Sequence, residues 1–420
     1  MKLTLTHLKA AALVLLFSPG CFCMEGAGQT PITDPPLQLH ASQYFDSQAL
    51  ICSGISGVVM ENDTFLAQLS GAGRLENVVH RISLDGAGVA EFNVGSFPRP
   101  TELADRTPYI WAFTSSREGD AFVLTRWLKN RVSEITNIVR FDSHGTFEEI
   151  TPVALENVQV LHMARFRDGR FILIGGRNGE SGFRSVEEII LDAGGKVLLR
   201  KPLRELSEAE ETQAKKERMR ESEEIQARMK AGAEAAKKAQ ASIQVIPSGE
   251  KKEDGGQKGE AKTPEVKRPD REMEMLYAHT LLITGDNGEV YLGRPDKPGK
   301  IYRVASDGEM TAIPLKRRAN ETTAIESGNT ELVSGTVSAG HLILFYAKMD
   351  STSNLYRPRH MQSLSIEAYS LSDGEHTATY VGDPQIIGTT PVGWNGNGAS
   401  YLKHVNTAQP PGFEIVFATR

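Results

Sequence analysis

An all-β fold, and within it a β-propeller, is predicted by three observations: one hairpin motif occurs five times, its copies are spaced regularly, and short strands bounded by turn residues fill the text between them. The copies are Arg81-Ile82-Ser83-Leu84-Asp85-Gly86, Val139-Arg140-Phe141-Asp142-Ser143-His144-Gly145, Ile189-Ile190-Leu191-Asp192-Ala193-Gly194-Gly195, Tyr302-Arg303-Val304-Ala305-Ser306-Asp307-Gly308 and Ala368-Tyr369-Ser370-Leu371-Ser372-Asp373-Gly374. Each joins two extended apolar runs through a tight turn, where glycine adopts positive φ freely and Asp or Asn tolerates it. The copies recur every ~50–65 residues with one wider gap, the period of a propeller array.

The leader comes first. Lys2 and Lys9 precede an apolar run from Ala10 to Phe17 that Pro19-Gly20 breaks. A run this short fits a secretory signal, since a bilayer span needs ~20 apolar residues. Residues 1–23 are therefore expected to be a signal peptide. Ser18-Pro19-Gly20-Cys21 resembles the lipobox of bacterial lipoproteins: Gly20 fits the small residue before the cysteine, while Ser18 stands where leucine is usual. Lipid attachment at Cys21 and ordinary cleavage between Cys23 and Gln29 are the two alternatives. Residues 24–36, with Pro31, Pro35 and Pro36, read as an extended tether.

The first part of the propeller is expected over 37–206, with strands such as Val58-Val59-Met60, Ala121-Phe122-Val123-Leu124 and Phe171-Ile172-Leu173-Ile174. The pattern breaks at Ser207. Ser207-Glu208-Ala209-Glu210 is a capping box, and the Ala, Glu, Lys, Arg and Met text behind it predicts an inserted charged helix over 207–247, a solvated helix or a coiled-coil arm. Residues 248–272 are Lys, Glu, Gly and Pro with almost nothing to bury, so a disordered linker is expected there. The second part of the propeller, 273–420, opens on Leu281-Leu282-Ile283 and Val290-Tyr291-Leu292, joined through Asp286-Asn287-Gly288. Without the insertion the Asp192 to Asp307 gap returns to the period of the array, so the insertion lies between repeats and replaces none.

About 315 residues then remain for the array, which at roughly 50–55 residues per four-stranded blade makes six blades, with seven as the alternative. Closure is expected from the C-terminal strands, Ser400-Tyr401-Leu402 and Phe413 to Phe417, pairing with the chain near Leu37. The hairpins resemble those of six-bladed propellers of the NHL and gluconolactonase-like type. That resemblance implies a ring around a central channel in which the lactonases hold a divalent cation with Glu, Asn and Asp side chains. Their Glu-Gly-Pro and Ser-Pro-Asp-Gly motifs do not occur here, and Ala305-Ser306-Asp307-Gly308 and Leu371-Ser372-Asp373-Gly374 share only the turn.

Chemistry is sparse. The net charge of -6, with both signs interspersed, offers no field for nucleic acid. Three cysteines provide no disulfide framework, and the ten histidines lie singly, without zinc spacing. No cofactor or metal motif is identified, which leaves the channel cation as an implication of the resemblance alone. The distinctive polar cluster is His162-Met163-Ala164-Arg165-Phe166-Arg167. In a strand His162, Ala164 and Phe166 share one face and Arg165 and Arg167 the other, so the arginines could grip a carboxylate at a channel mouth. Trp394, before Asn395-Gly396-Asn397-Gly398, is the second candidate for a binding face. The expected protein is an exported, periplasmic or cell-surface monomer that presents a face to a protein or small ligand. Its only tie to a membrane is the lipid at Cys21. A secreted metal-dependent hydrolase or lactonase is the alternative.

Overall fold

The computed structural model describes residues 38–45, 52–61, 64–71, 74–75, 77–83, 89–129, 133–179, 182–243, 269–285, 287–316, 330–349, 361–381, 389–394, 398–405 and 412–419. All belong to one compact unit, Asp34–Arg420. The signal peptide, the tether, Cys21 and the linker from 248 to 268 lie outside the described residues, as does the Asp85-Gly86 turn.

Six antiparallel sheets follow one another along the chain. After β1 (Gln38–Phe45), the first is built from β2 (Cys52–Glu61), β3 (Thr64–Gly71), β4 (Arg74–Leu75), β5 (Val78–Ser83) and β6 (Val89–Asn93), and the second from β7 (Thr107–Ser115), β8 (Ala121–Lys129), β9 (Ser133–Phe141) and β10 (Phe147–Val153). The third comprises β11 (Val158–Arg165), β12 (Phe171–Gly179), β13 (Gly182–Leu191) and β14 (Val197–Glu205). Two helices, α1 (Glu208–Ile243) and α2 (Pro269–His279), precede the fourth, β15 (Leu281–Thr284), β16 (Val290–Gly293), β17 (Lys300–Val304) and β18 (Met310–Pro314). The fifth comprises β19 (Thr330–Ser338), β20 (His341–Met349), β21 (Met361–Ser370) and β22 (His376–Val381). The sixth joins β23 (Thr390–Trp394), β24 (Gly398–Val405) and β25 (Gly412–Thr419) to β1, in the order β1-β25-β24-β23.

Contacts between β2, β7, β11, β15, β19, β23 and again β2 close a ring of first strands, the arrangement of a propeller. β1 completes the last sheet in register with β25, from Gln38 opposite Thr419 to Phe45 opposite Phe413. This is the expected closure, and it removes the free edge that β25 would otherwise present. Five sheets are plain four-stranded blades, and the first carries five strands because the two-residue β4 also pairs with β3.

The core lies in the seams between successive sheets, which is why strands such as Phe171–Ile174 are apolar at every position: both of their faces are buried. Phe122, Leu124 and Ile138 of the second sheet meet Leu173 and Ile189 of the third; Ile172 and Val186 meet Val290 and Leu292 of the fourth. Similar seams follow at Tyr291 with Leu344, and at Phe345 with Tyr401.

The repeated hairpin glycine is accounted for in two ways. Gly145, Gly195, Gly308 and Gly374 all have φ between +72° and +89°. Each also presses its turn on the outer strand of the preceding sheet. A Cβ on Gly195 would stand 2.5 Å from the Pro152 carbonyl oxygen, and one on Gly145, Gly308 or Gly374 closer still to Glu91, Leu199 or Pro314. The aspartates act inside the turns: Asp142 Oδ1 accepts hydrogen bonds from the amides of His144 (2.9 Å) and Thr146 (2.8 Å), and Asp192 Oδ1 from that of Lys196 (2.8 Å).

The insertion lies between repeats, as expected. The capping box forms, with Ser207 Oγ accepting from the Glu210 amide (3.3 Å) and Glu210 Oε2 accepting from the Ser207 amide (2.9 Å). One side of α1 from Glu210 to Ile225 is half-buried or buried, with Ala214 fully enclosed, whereas residues 226–237 are all exposed. The expected boundaries are corrected beyond this point. Residues 269–272, taken as linker, and 273–279, taken as propeller, form α2. Pro269 occupies the first helical position, where a missing N–H costs nothing, and Met273 and Leu276 bury on the third sheet while Tyr277 packs on Phe183 at 4.3 Å. Arg218 of α1 pairs with buried Asp270 of α2 at 2.8 Å.

Candidate oxyanion-binding site

Three neighbouring turns meet at one end of the ring: 116–119 after β7, 166–169 after β11 and the turn from Gly285 to Gly288 after β15. The second turn is closed by hydrogen bonds from the Phe166 amide to the Arg170 carbonyl (2.8 Å) and from the Gly169 amide to the Phe166 carbonyl (3.0 Å). Its neighbour is held by the Arg167 amide donating to the Gly288 carbonyl at 3.3 Å. Gly288 (φ +70°) has room for no side chain there, since a Cβ would lie 2.9 Å from the Arg167 nitrogen.

The three turns form a pocket of about 230 Å³ lined by Arg117, Arg165 and Arg167, together with Ser115, Ser116 and Asn287. Arg165 is placed by the end of β11 and its guanidinium lies over the Phe122 ring at 4.7 Å. Its Nε is shielded from solvent and has no hydrogen-bond partner in the protein. Glu118 is the one acidic residue of the lining. Its carboxyl is held below the usual range by hydrogen bonds from its own backbone amide and from Ser116, with the positive charges of Arg165 and Arg117 adding to the effect. Three arginines against one glutamate in the lining give the pocket surplus positive charge. Planar N–H donors of this kind match a carboxylate or phosphate.

The candidate residues of the sequence divide accordingly. Arg165 and Arg167 come together, but through the turn, because β11 ends at Arg165 and Arg167 follows it in the turn. Met163, on the same face as Arg165, and Ala164, on the opposite face, are both buried, since β11 lies between two seams. His162 is not part of the pocket. Burial, reinforced by the charge of His279, pushes its imidazole down to about 4, so it is neutral at physiological pH. Trp394 does not belong to a binding face: it is 7% exposed and packs on Tyr380 at 5.0 Å in the seam of the last two sheets. Arg117 and the serines were missed by sequence reading, because Ser115-Ser116-Arg117 meets Arg165 only through the adjacency of two turns about 50 residues apart.

Among the described residues no three His, Cys, Asp or Glu side chains gather as metal ligands. No described helix is long and apolar enough to cross a membrane.

Ring and pocket together define a β-propeller with a cationic turn face. No family model matches the chain, and no curated protein is similar to it in sequence. Among solved structures it is similar to a member of the DUF4221 family from Bacteroides vulgatus, at 10% identity and a TM-score of 0.45, covering 91% of this chain and 98% of that one. It is also similar to a protein of unknown function from Dyadobacter fermentans (10% identity, TM-score 0.44, 92% and 100% covered) and to the arabinanase Arb43A of Bacillus subtilis (10% identity, TM-score 0.32, 75% and 93% covered).

Proposed function

We propose that the protein is an exported, non-enzymatic propeller whose turn face binds a small oxyanion, a carboxylate in the first place, between Arg117, Arg165 and Arg167. The observation that carries this reading is the convergence of Arg117, Arg165 and Arg167, from two adjacent turns, on the lining of one pocket. Closely placed arginines favour a bound oxyanion that offsets their charge. The volume of about 230 Å³ suits a single acidic group or a compact di- or tricarboxylate. The leader supports export, and Cys21 supplies the anchor in the lipidated form.

Titration calorimetry of the purified chain with succinate, citrate and inorganic phosphate tests the reading. At least one should bind saturably, and Arg167→Ala should weaken it about tenfold or more, the loss expected for one charge-assisted hydrogen bond. Saturable binding unchanged in both Arg167→Ala and Arg165→Ala, or none with any of the three anions, overturns it. Fractionation of the host cell tests the location: Cys21→Ala should move the protein from the membrane to the soluble fraction.

A further inference from the structure

A second cavity, of about 980 Å³, opens between the second and third sheets at the opposite end of their first strands, where β10 passes into β11. This is the upper end of the ~300–1,000 Å³ typical of ligand pockets. Its composition is unlike that of the arginine pocket. The charges balance: Arg126 pairs with Glu134 at 2.6 Å, and Glu156 and Lys196 stand at the lining with opposite signs. Amides supply much of the remaining polarity, from Asn157, Gln159 and Asn178.

One wall is aromatic. Trp111 sits at the irregularity between Ile110 and Ala112 in β7, and a bulge of that kind turns a side chain away from the regular alternation. The Arg126 guanidinium lies over its ring at 5.3 Å, and Arg126 Nε is buried without a hydrogen-bond partner. Asn157, in the lining, has φ +57°, a left-handed turn conformation that asparagine tolerates.

We propose that this cleft binds a neutral oligosaccharide. A balanced charge set gives no advantage to an ionic ligand. The three amides and the Arg126–Glu134 pair offer donors and acceptors side by side, as adjacent hydroxyl groups require, and the part of Trp111 that Arg126 and the core leave exposed provides apolar contact for the C–H groups of a sugar. The cleft shares no residue with the arginine pocket.

Intrinsic fluorescence reads the site directly, because Trp127 and Trp394 are buried and Trp111 is the half-exposed tryptophan. Titration of the full chain with maltotriose, cellotriose and xylotriose should give a saturable change with at least one. Asn178→Ala, at the end of β12, should weaken that sugar about tenfold by calorimetry, and Arg167→Ala should leave it unchanged. The proposal is overturned if none of the three sugars binds saturably, if Asn178→Ala and Gln159→Ala both bind like the wild type, or if the neutral peptide trialanine binds as tightly as the best sugar. Loss of sugar binding in Arg167→Ala would also contradict it, by making the two sites one.

Discussion

Gly374 lies so close to the carbonyl of Pro314 that its turn has no space for a Cβ, and this contact ties the fifth sheet to the outer strand of the fourth. Its φ of +72° adds a second demand for glycine. Gly374→Ala should therefore lose about 1–3 kcal/mol, from left-handed backbone strain and from the displaced Pro314 together. Gly195→Ala should behave alike against Pro152. Urea unfolding measures both, and a control at Gly232, exposed on α1 with nothing within 4 Å, should gain stability rather than lose it.

Glu188 is completely buried on β13 and neither carboxyl oxygen has a hydrogen-bond partner. Burial pushes its carboxyl up to about 7 from 4.5, against a smaller opposing pull from Lys201. In the unfolded chain the group ionises near its ordinary value, so the stability it allows is complete below about pH 4.5 and is lost as pH rises through about 7. Glu188→Gln should raise stability at pH 8 by on the order of 2–3 kcal/mol and leave it unchanged at pH 4.5. Equal effects at the two pH values would show that Glu188 titrates normally.

The insertion should prove divisible. α1 is bound to α2 as far as Ile225, through Arg218–Asp270 and Arg271–Glu221 (3.3 Å), and residues 226–237 touch nothing that shields them. Deleting residues 226–268 and joining the ends by a short Gly/Ser loop should leave the thermal midpoint within a few degrees of wild type. Deleting 207–271 should lower it clearly, because Pro269 and Asp270 of α2 go with it. Trypsin should cut first among Lys251, Lys252, Lys258, Lys262 and Lys267.

Anion binding at the turn face should weaken as salt is added, since Arg167 and Arg117 are exposed and dissolved ions both screen their charge and compete for it. Calorimetry with citrate at two sodium chloride concentrations measures this. Oligosaccharide binding at the Trp111 cleft should be indifferent to the same change.

Much of the array could be read from the sequence because the same local demand recurs in it. Asp142, Asp192, Asp307 and Asp373 each announce a turn, and the glycine behind each obeys a constraint that any hairpin of this form imposes. The contact that makes the glycine indispensable, with Glu91, Pro152, Leu199 or Pro314 of the sheet before, joins residues far apart in sequence and left no local trace. α2 was hidden for a related reason. Pro269 resembles the end of a linker, and the stripe of Met273, Leu276 and Tyr277 is too short to stand out until Phe183 and Leu206 are seen beneath it. In the candidate site Arg165 and Arg167 drew notice as a cluster, whereas Arg117 and Trp111 gained their meaning only from the adjacency of sheets. Trp394 looked available because glycines follow it, and burial against Tyr380 removed it from any surface.

The most direct test is a crystal structure of the chain grown with succinate or citrate at saturating concentration. The carboxylate should lie between Arg117, Arg165 and Arg167. A pocket whose arginines turn away from one another, with the anion bound elsewhere on the ring, would contradict it.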